Sequence, residues 1–350
     1  MSHPYTDLPD RAFWKSAVAE ADRSRFPGLV RPRFGIDRAT RVATAGSCFA
    51  QHIGRYLRLA GCRVLDAEPS PRGMGPQIAK RFGYGLFSAR YGNIYTARQL
   101  RQLLEDAASG HVDRHNVWLL GEDRFVDAFR PTVEPEGLHS EAEVLAHRED
   151  HLLRLAGLLG RTDVFIFTLG LTEAWEDQET GRVYPVCPGV AGGRFDRARF
   201  RFRNFSHSDV LADLEDIQRL LRSFQTGMEL LLTVSPVPMT ATASDDHVLT
   251  ATTYSKAVLR AAAGEFVATA DDVDYFPSYE IVTAPASGGP FFEPNMRSVS
   301  IEGIEKVMGL FLDAHGLLDA PATPAPAPET YDDSEDEVSC DEVLLEAFSR

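Results

Sequence analysis

At 350 residues, 44% of them hydrophobic, the chain is long enough to bury a large core, and its formal net charge of −15 argues against a general nucleic-acid or anionic-membrane binder. No run of about 18 apolar residues marks a membrane span and no cationic segment precedes an apolar stretch as in a secretion signal, so the expected compartment is the cytoplasm. Four cysteines, Cys48, Cys62, Cys187 and Cys340, are too few and too scattered for a disulfide framework or a zinc knuckle, and the expectation is reduced thiols with no metal and no cofactor.

In chain order, the first apolar run, 41–45, ends in Gly46-Ser47-Cys48 and passes straight into a helical pattern over 48–59. This sets two candidate nucleophiles, Ser47 and Cys48, between the carboxyl end of a strand and the amino end of a helix. Unpaired N–H groups there favour an anion and help a thiol to ionise. Each residue also has a plainer reading. Ser47 has the side chain an N-cap needs, and Cys48 is of a type that is often simply buried. His52, four residues on, shares a helical face with Cys48 and reads as a surface or packing residue.

Further strands are predicted at 62–67, 163–169, 229–234 and 272–276, and helices at 96–108, 140–159, 208–224, 248–263 and 301–314, with Thr96, Ser140 and Ser208 as caps. Strands alternating with helices predict an α/β fold, a three-layer sandwich around a five-stranded, mainly parallel sheet, in one domain over 1–318. The gaps at 68–139 and 174–207 exceed what a simple crossover needs and are read as insertions that shape a site. Inside the second, Arg199, Arg201 and Arg203 alternate with Phe200 and Phe202. This strand pattern has a cationic face, suited either to an anionic substrate or to a charged sheet edge. Residues 319–337 form a Pro/Ala and acidic linker, and 338–350 recover an amphipathic pattern with Val343, Leu344, Ala347 and Phe348 on one face. That face is expected to dock on the domain or on a protein partner.

Gly46-Ser47-Cys48-Phe49-Ala50, with Tyr91 to Thr96, Arg130 to Pro135, Thr168 to Trp175, Ser235-Pro236-Val237, Tyr254-Ser255-Lys256 and Tyr275 to Glu280, resembles the GSCFA family, a branch of the SGNH (GDSL-like) hydrolases. The resemblance implies ester hydrolysis or acyl transfer on a small-molecule or glycan acyl substrate. It places Cys48 where the superfamily has its nucleophilic serine, and Ser47 where it has aspartate. Gly46, Gly92, Asn93 and Thr172 are then the oxyanion candidates, with Thr172 where asparagine is usual, while Gly92 reads equally as a tight turn. Glu173 is either a carboxylate that orients a base or a cap. The block that should carry aspartate and histidine reads Asn295-Met296-Arg297-Ser298, so His247 is the substitute base, against a solvated loop histidine. Lys256 and Arg297 are candidates to hold an anion or to favour a thiolate, against ordinary surface charges. The competing reading is a degenerate binding module that keeps the fold and acts as an interaction protein.

Overall fold

The computed structural model describes residues 3–22, 25–287, 289, 291–318 and 341–348; the predicted linker and both ends of the predicted tail lie outside them. The elements follow as β1 (Arg41–Gly46), α1 (Ala50–Leu59), β2 (Arg63–Val64), α2 (Pro76–Arg81), α3 (Ala97–Ser109), β3 (Val117–Leu120), β4 (Arg124–Asp127) and α4 (Glu141–Leu159). The second half holds β5 (Val164–Leu169), β6 (Glu173–Asp177), β7 (Val183–Tyr184), β8 (Phe200–Asn204), α5 (His207–Phe224), β9 (Glu229–Val234), α6 (Val248–Thr269), β10 (Val273–Phe276), α7 (Ser278–Thr283) and α8 (Ile301–Ala314). The predicted second strand shrinks to two residues, and the helix predicted to end at 263 runs on to Thr269. Thr96 and Ser140 cap as expected, whereas α5 is capped by Ser206, the residue immediately before it, in reciprocal hydrogen bonding with Asp209, so Ser208 is not the cap.

The central sheet is five-stranded, ordered β10-β9-β5-β1-β2, and every pairing in it is parallel. Period-two alternation divides its side chains between two apolar layers. Val42, Val164, Ile166 and Leu231 face one layer together with Ile53, Leu57, Val307 and Phe311 from α1 and α8. Ala43, Ala45, Phe165, Phe167, Leu230 and Leu232 face the other, against Leu104, Leu155, Leu214 and Leu259 from α3 to α6. Both faces are covered, which is why the longer strands read as mostly apolar runs rather than as apolar-polar alternation. The two insertions build a β3-β4 hairpin and a three-stranded antiparallel sheet, β7-β6-β8.

A buried ionic cluster ties the first insertion to the helices. Asp106 of α3 holds Arg148 at 3.0 Å and Arg182 at 2.6 Å, Arg130 bonds Asp127 at 2.9 Å, and Arg90 bonds Glu134 at 2.8 Å. Glu68 accepts from the ring of His151, which is fully buried, at 2.7 Å. Burial, aided by the charge of Arg130, pushes His151 down from 6.5 to about 4, against the pull of Glu68. The ring is therefore neutral in the folded protein at neutral pH.

Two outcomes follow. As pH falls from 6.5 towards 4 the unfolded chain binds a proton at His151 that the folded chain refuses, so stability is full above this window and declines through it, by roughly 3 kcal/mol at most. Urea titrations across that range should show the decline, and a His151→Gln variant should flatten it. At the end of β1, Gly46 has φ +142° and a Cβ there would lie 2.4 Å from the Thr168 carbonyl oxygen. Gly46→Ala should lower unfolding free energy by roughly 2–3 kcal/mol, measured by the same titration at pH 7.

Candidate active site

Renumbered along the sheet alone, the strand order is 2-1-3-4-5, and the chain reverses its winding between β1 and β5. In open α/β sheets the crevice beyond the strand ends at such a switch point is where ligands bind. Here the loops after these strands are tied together. Ser47 donates its backbone N–H to Thr168 at 3.1 Å, Ile94 donates to Gly46 at 2.9 Å, and Gly170 donates to Tyr95 at 2.9 Å. Gly170 is also closely confined, though less than Gly46, since a Cβ would lie 2.9 Å from Cβ of Ser47 and 3.1 Å from the Tyr95 carbonyl oxygen.

Cys48 occupies this junction, 6% exposed and outside both apolar layers of the sheet. The helix that follows starts at Ala50 rather than at 48, so Cys48 belongs to the turn. Lys256 of α6 is buried, donates from Nζ to the Gly170 carbonyl at 2.7 Å, and is charge-coupled to Cys48. Burial lowers its pKa from 10.5 to about 8, opposed chiefly by the negative charge of Glu342 and aided by Arg297. Lys256 is therefore not the ordinary surface charge that one reading of the sequence allowed.

Asn93, 3% exposed, follows Gly92, whose φ of +69° makes the tight turn that one reading of the sequence required. The amide Nδ2 of Asn93 donates to Oδ2 of Asp341 at 3.1 Å, and Thr132 donates from Oγ1 to Oδ1 of the same carboxylate at 2.6 Å. Arg297 donates from Nη2 to Oε2 of Glu342 at 3.2 Å. The loop that presents it is pinned by Asn295, whose Oδ1 accepts from the N–H groups of Arg297 and Ser298, with Met296 left-handed at φ +55°. Asp341 and Glu342, at the start of a 3-10 segment over Asp341–Phe348, thus lie within the cluster with Asn93, Thr132, Arg297 and Lys256.

Several expectations are corrected. Ser47 does not cap α1, whose N-cap is Phe49; its buried hydroxyl has no hydrogen-bond partner among the described residues. His247 is exposed and caps α6, its Nδ1 accepting from Leu249 at 3.2 Å, so it is a helix cap rather than a base at the turn. Glu173 accepts from Thr242 at 2.7 Å and is raised by burial; it braces the 240–244 loop and orients no histidine. The hydroxyl of Thr172 is buried without a hydrogen-bond partner among the described residues, and its N–H goes to Ser255 at 3.0 Å. Arg199, Arg201 and Arg203 are paired within the small sheet's surroundings to Asp177, Glu176 and Asp209, so the ribbon is a charge-matched edge strand. His52 is buried with its ring edge-on to Phe49, 5.5 Å between centroids. In the tail the predicted docking face is the exposed one: Val343, Leu344, Ala347 and Phe348 face solvent, and the acidic pair is buried instead.

Thr132, Asp341 and Glu342 were not identified from sequence. Thr132 lies in a segment with family likeness but carries no spacing signal, and buried acids have no periodic signature. Among the described residues no group of three or more His, Cys, Asp or Glu side chains is arranged to hold a metal ion, and no helix is long and apolar enough to cross a membrane.

No curated protein matches the chain. Among solved structures, it is similar to a carbohydrate esterase family 3 protein from Talaromyces cellulolyticus, with 10% identity, a TM-score of 0.36, and 81% of this chain and 100% of that one covered. It is also similar to an acetyl xylan esterase from the rumen bacterium Butyrivibrio proteoclasticus, with 12% identity, a TM-score of 0.33, and 79% of this chain and 63% of that one covered. Likeness at this distance says nothing of what the chain acts on. The model of the GSCFA family matches residues 41–311, which take in the Cys48 turn, the Asn93 loop, Lys256 and Arg297, and the chain belongs to that family.

Proposed function

We propose that the chain is an acyl-transfer enzyme of the esterase type, with Cys48 as nucleophile. The observation that carries this reading is a thiol at the switch point of the sheet, charge-coupled to a buried lysine. In the first step Sγ of Cys48 attacks the acyl carbon of an ester while its proton passes to neutral Lys256. The carbonyl oxygen becomes an oxyanion that accepts from Nδ2 of Asn93 and from backbone N–H groups at the turn. Collapse expels the alcohol, which takes the proton from Lys256 and leaves a thioester. Water, or another hydroxyl in a transferase, then releases the acyl group and restores the thiol. A lysine near 8 is suited to both proton transfers, because each form is populated around neutral pH.

A second reading, a binding module without turnover, is favoured by the loop that replaces the usual aspartate and histidine. Asn295 there donates to Ser298 at 3.0 Å, and neither side chain can act as a base.

Hydrolysis of p-nitrophenyl esters separates the two. Cys48→Ala should lose about 10³-fold or more in turnover, and Asn93→Ala about 10²-fold, each with unfolding free energy measured alongside. The rate should rise with pH through about 8 as Lys256 loses its proton, and Lys256→Arg, which stays charged, should abolish that limb. Equal rates in Cys48→Ala and the parent chain would leave only the binding module.

A further inference from the structure

Two adjacent acids, Asp341 and Glu342, are 4% and 6% exposed. Removing a carboxylate from water costs several kcal/mol unless donors replace the water. Here the donors come from three separate places in the fold, Asn93 ahead of α3, Thr132 beyond the hairpin and Arg297 before α8, and the charge of Lys256 on α6 adds to them. Asp341 is met by two hydroxyl or amide donors, one on each oxygen, and Glu342 by a guanidinium. The apolar side chains of the segment are less covered than the two acids, since Val343 and Leu344 are each 41% exposed and Phe348 is 68% exposed. The fit is therefore to charge and to the spacing of two successive acidic side chains, on a protein whose overall charge of −15 repels acids everywhere else.

We propose that the donor cluster of Asn93, Thr132 and Arg297 is a receptor for paired carboxylates, that Asp341 and Glu342 are its internal occupant, and that the ligand they exclude is an acidic peptide or a small dicarboxylate. Only the further step, that an ester bearing such carboxylates also transfers its acyl group to Cys48 with loss of its alcohol, rests on the catalytic reading above. The internal pair keeps the turn closed by occupying donors that such a ligand would need, and the ligand gains the site by displacing the pair.

The test uses the full chain. In an Asp341→Asn/Glu342→Gln double variant, iodoacetamide alkylation of Cys48, followed by peptide mass spectrometry so that the other thiols are read separately, should be at least about tenfold faster than in the parent. A synthetic peptide of residues 339–350 with Cys340→Ser, added to the double variant, should restore protection, and the same peptide with the two acids neutralised should fail at a tenfold higher concentration. Glutarate is the second arm: protection by both glutarate and the peptide identifies a small dicarboxylate site, and protection by the peptide alone identifies recognition of an acidic segment. Equal alkylation of parent and double variant overturns the proposal, as does equal protection by the charged and neutralised peptides. Because the readouts are labelling and protection, a receptor without ester turnover would sink the catalytic reading alone, and turnover with unchanged labelling would sink this one alone.

Discussion

The whole arrangement depends on how closely the ends of β1 and β5 approach each other. Gly46 and Gly170 are the residues that allow it, since a methyl group at either would collide with the backbone or side chain of the opposite loop. With that contact made, the Asn93 loop bonds to the Gly46 carbonyl and to Gly170, and Lys256 reaches the Gly170 carbonyl from α6. Cys48 consequently sits in a turn that α6 reaches through Lys256. A looser junction would leave the same residues in the sequence without bringing them together.

Charge compensation is the second theme. Few charged side chains in this molecule are buried alone: the arginines at 90, 130, 148 and 182 meet the acids at 134, 127 and 106, and the neutral ring of His151 meets Glu68. The cluster also fixes the site's geometry from behind. Arg130 donates to the Arg90 carbonyl and Arg90 to the Val133 carbonyl, which couples the stretch carrying Asn93 to the stretch carrying Thr132. The donors that receive Asp341 are thereby positioned before any ligand arrives.

The parallel sheet was legible because its longer strands are apolar at most positions, and the turn was legible because glycine, a small polar residue and a thiol interrupt that pattern in one place. Electrostatic pairing was much less so. Arg199 and Arg201 look like a free cationic stripe until the antiparallel register of β6 and β8 sets Asp177 and Glu176 beside them. His247 looked like a base because it precedes the helix carrying Lys256, but its backbone has the extended conformation of a cap and its ring serves the helix end. Hydrophobic periodicity pointed to the wrong side of the tail, because that segment is held by partners up to 248 residues away in sequence. Long-range ion pairing of this sort leaves no local trace.

Asp341 and Glu342 are docked through polar groups while Phe348 is 68% exposed. Opening that chiefly breaks ion pairs and hydrogen bonds uncovers less hydrocarbon than lifting an apolar face, and carries a smaller change in heat capacity. A latch of this kind keeps nearly the same balance between closed and open from cold to warm, unlike one fastened by a greasy face, whose grip changes with temperature.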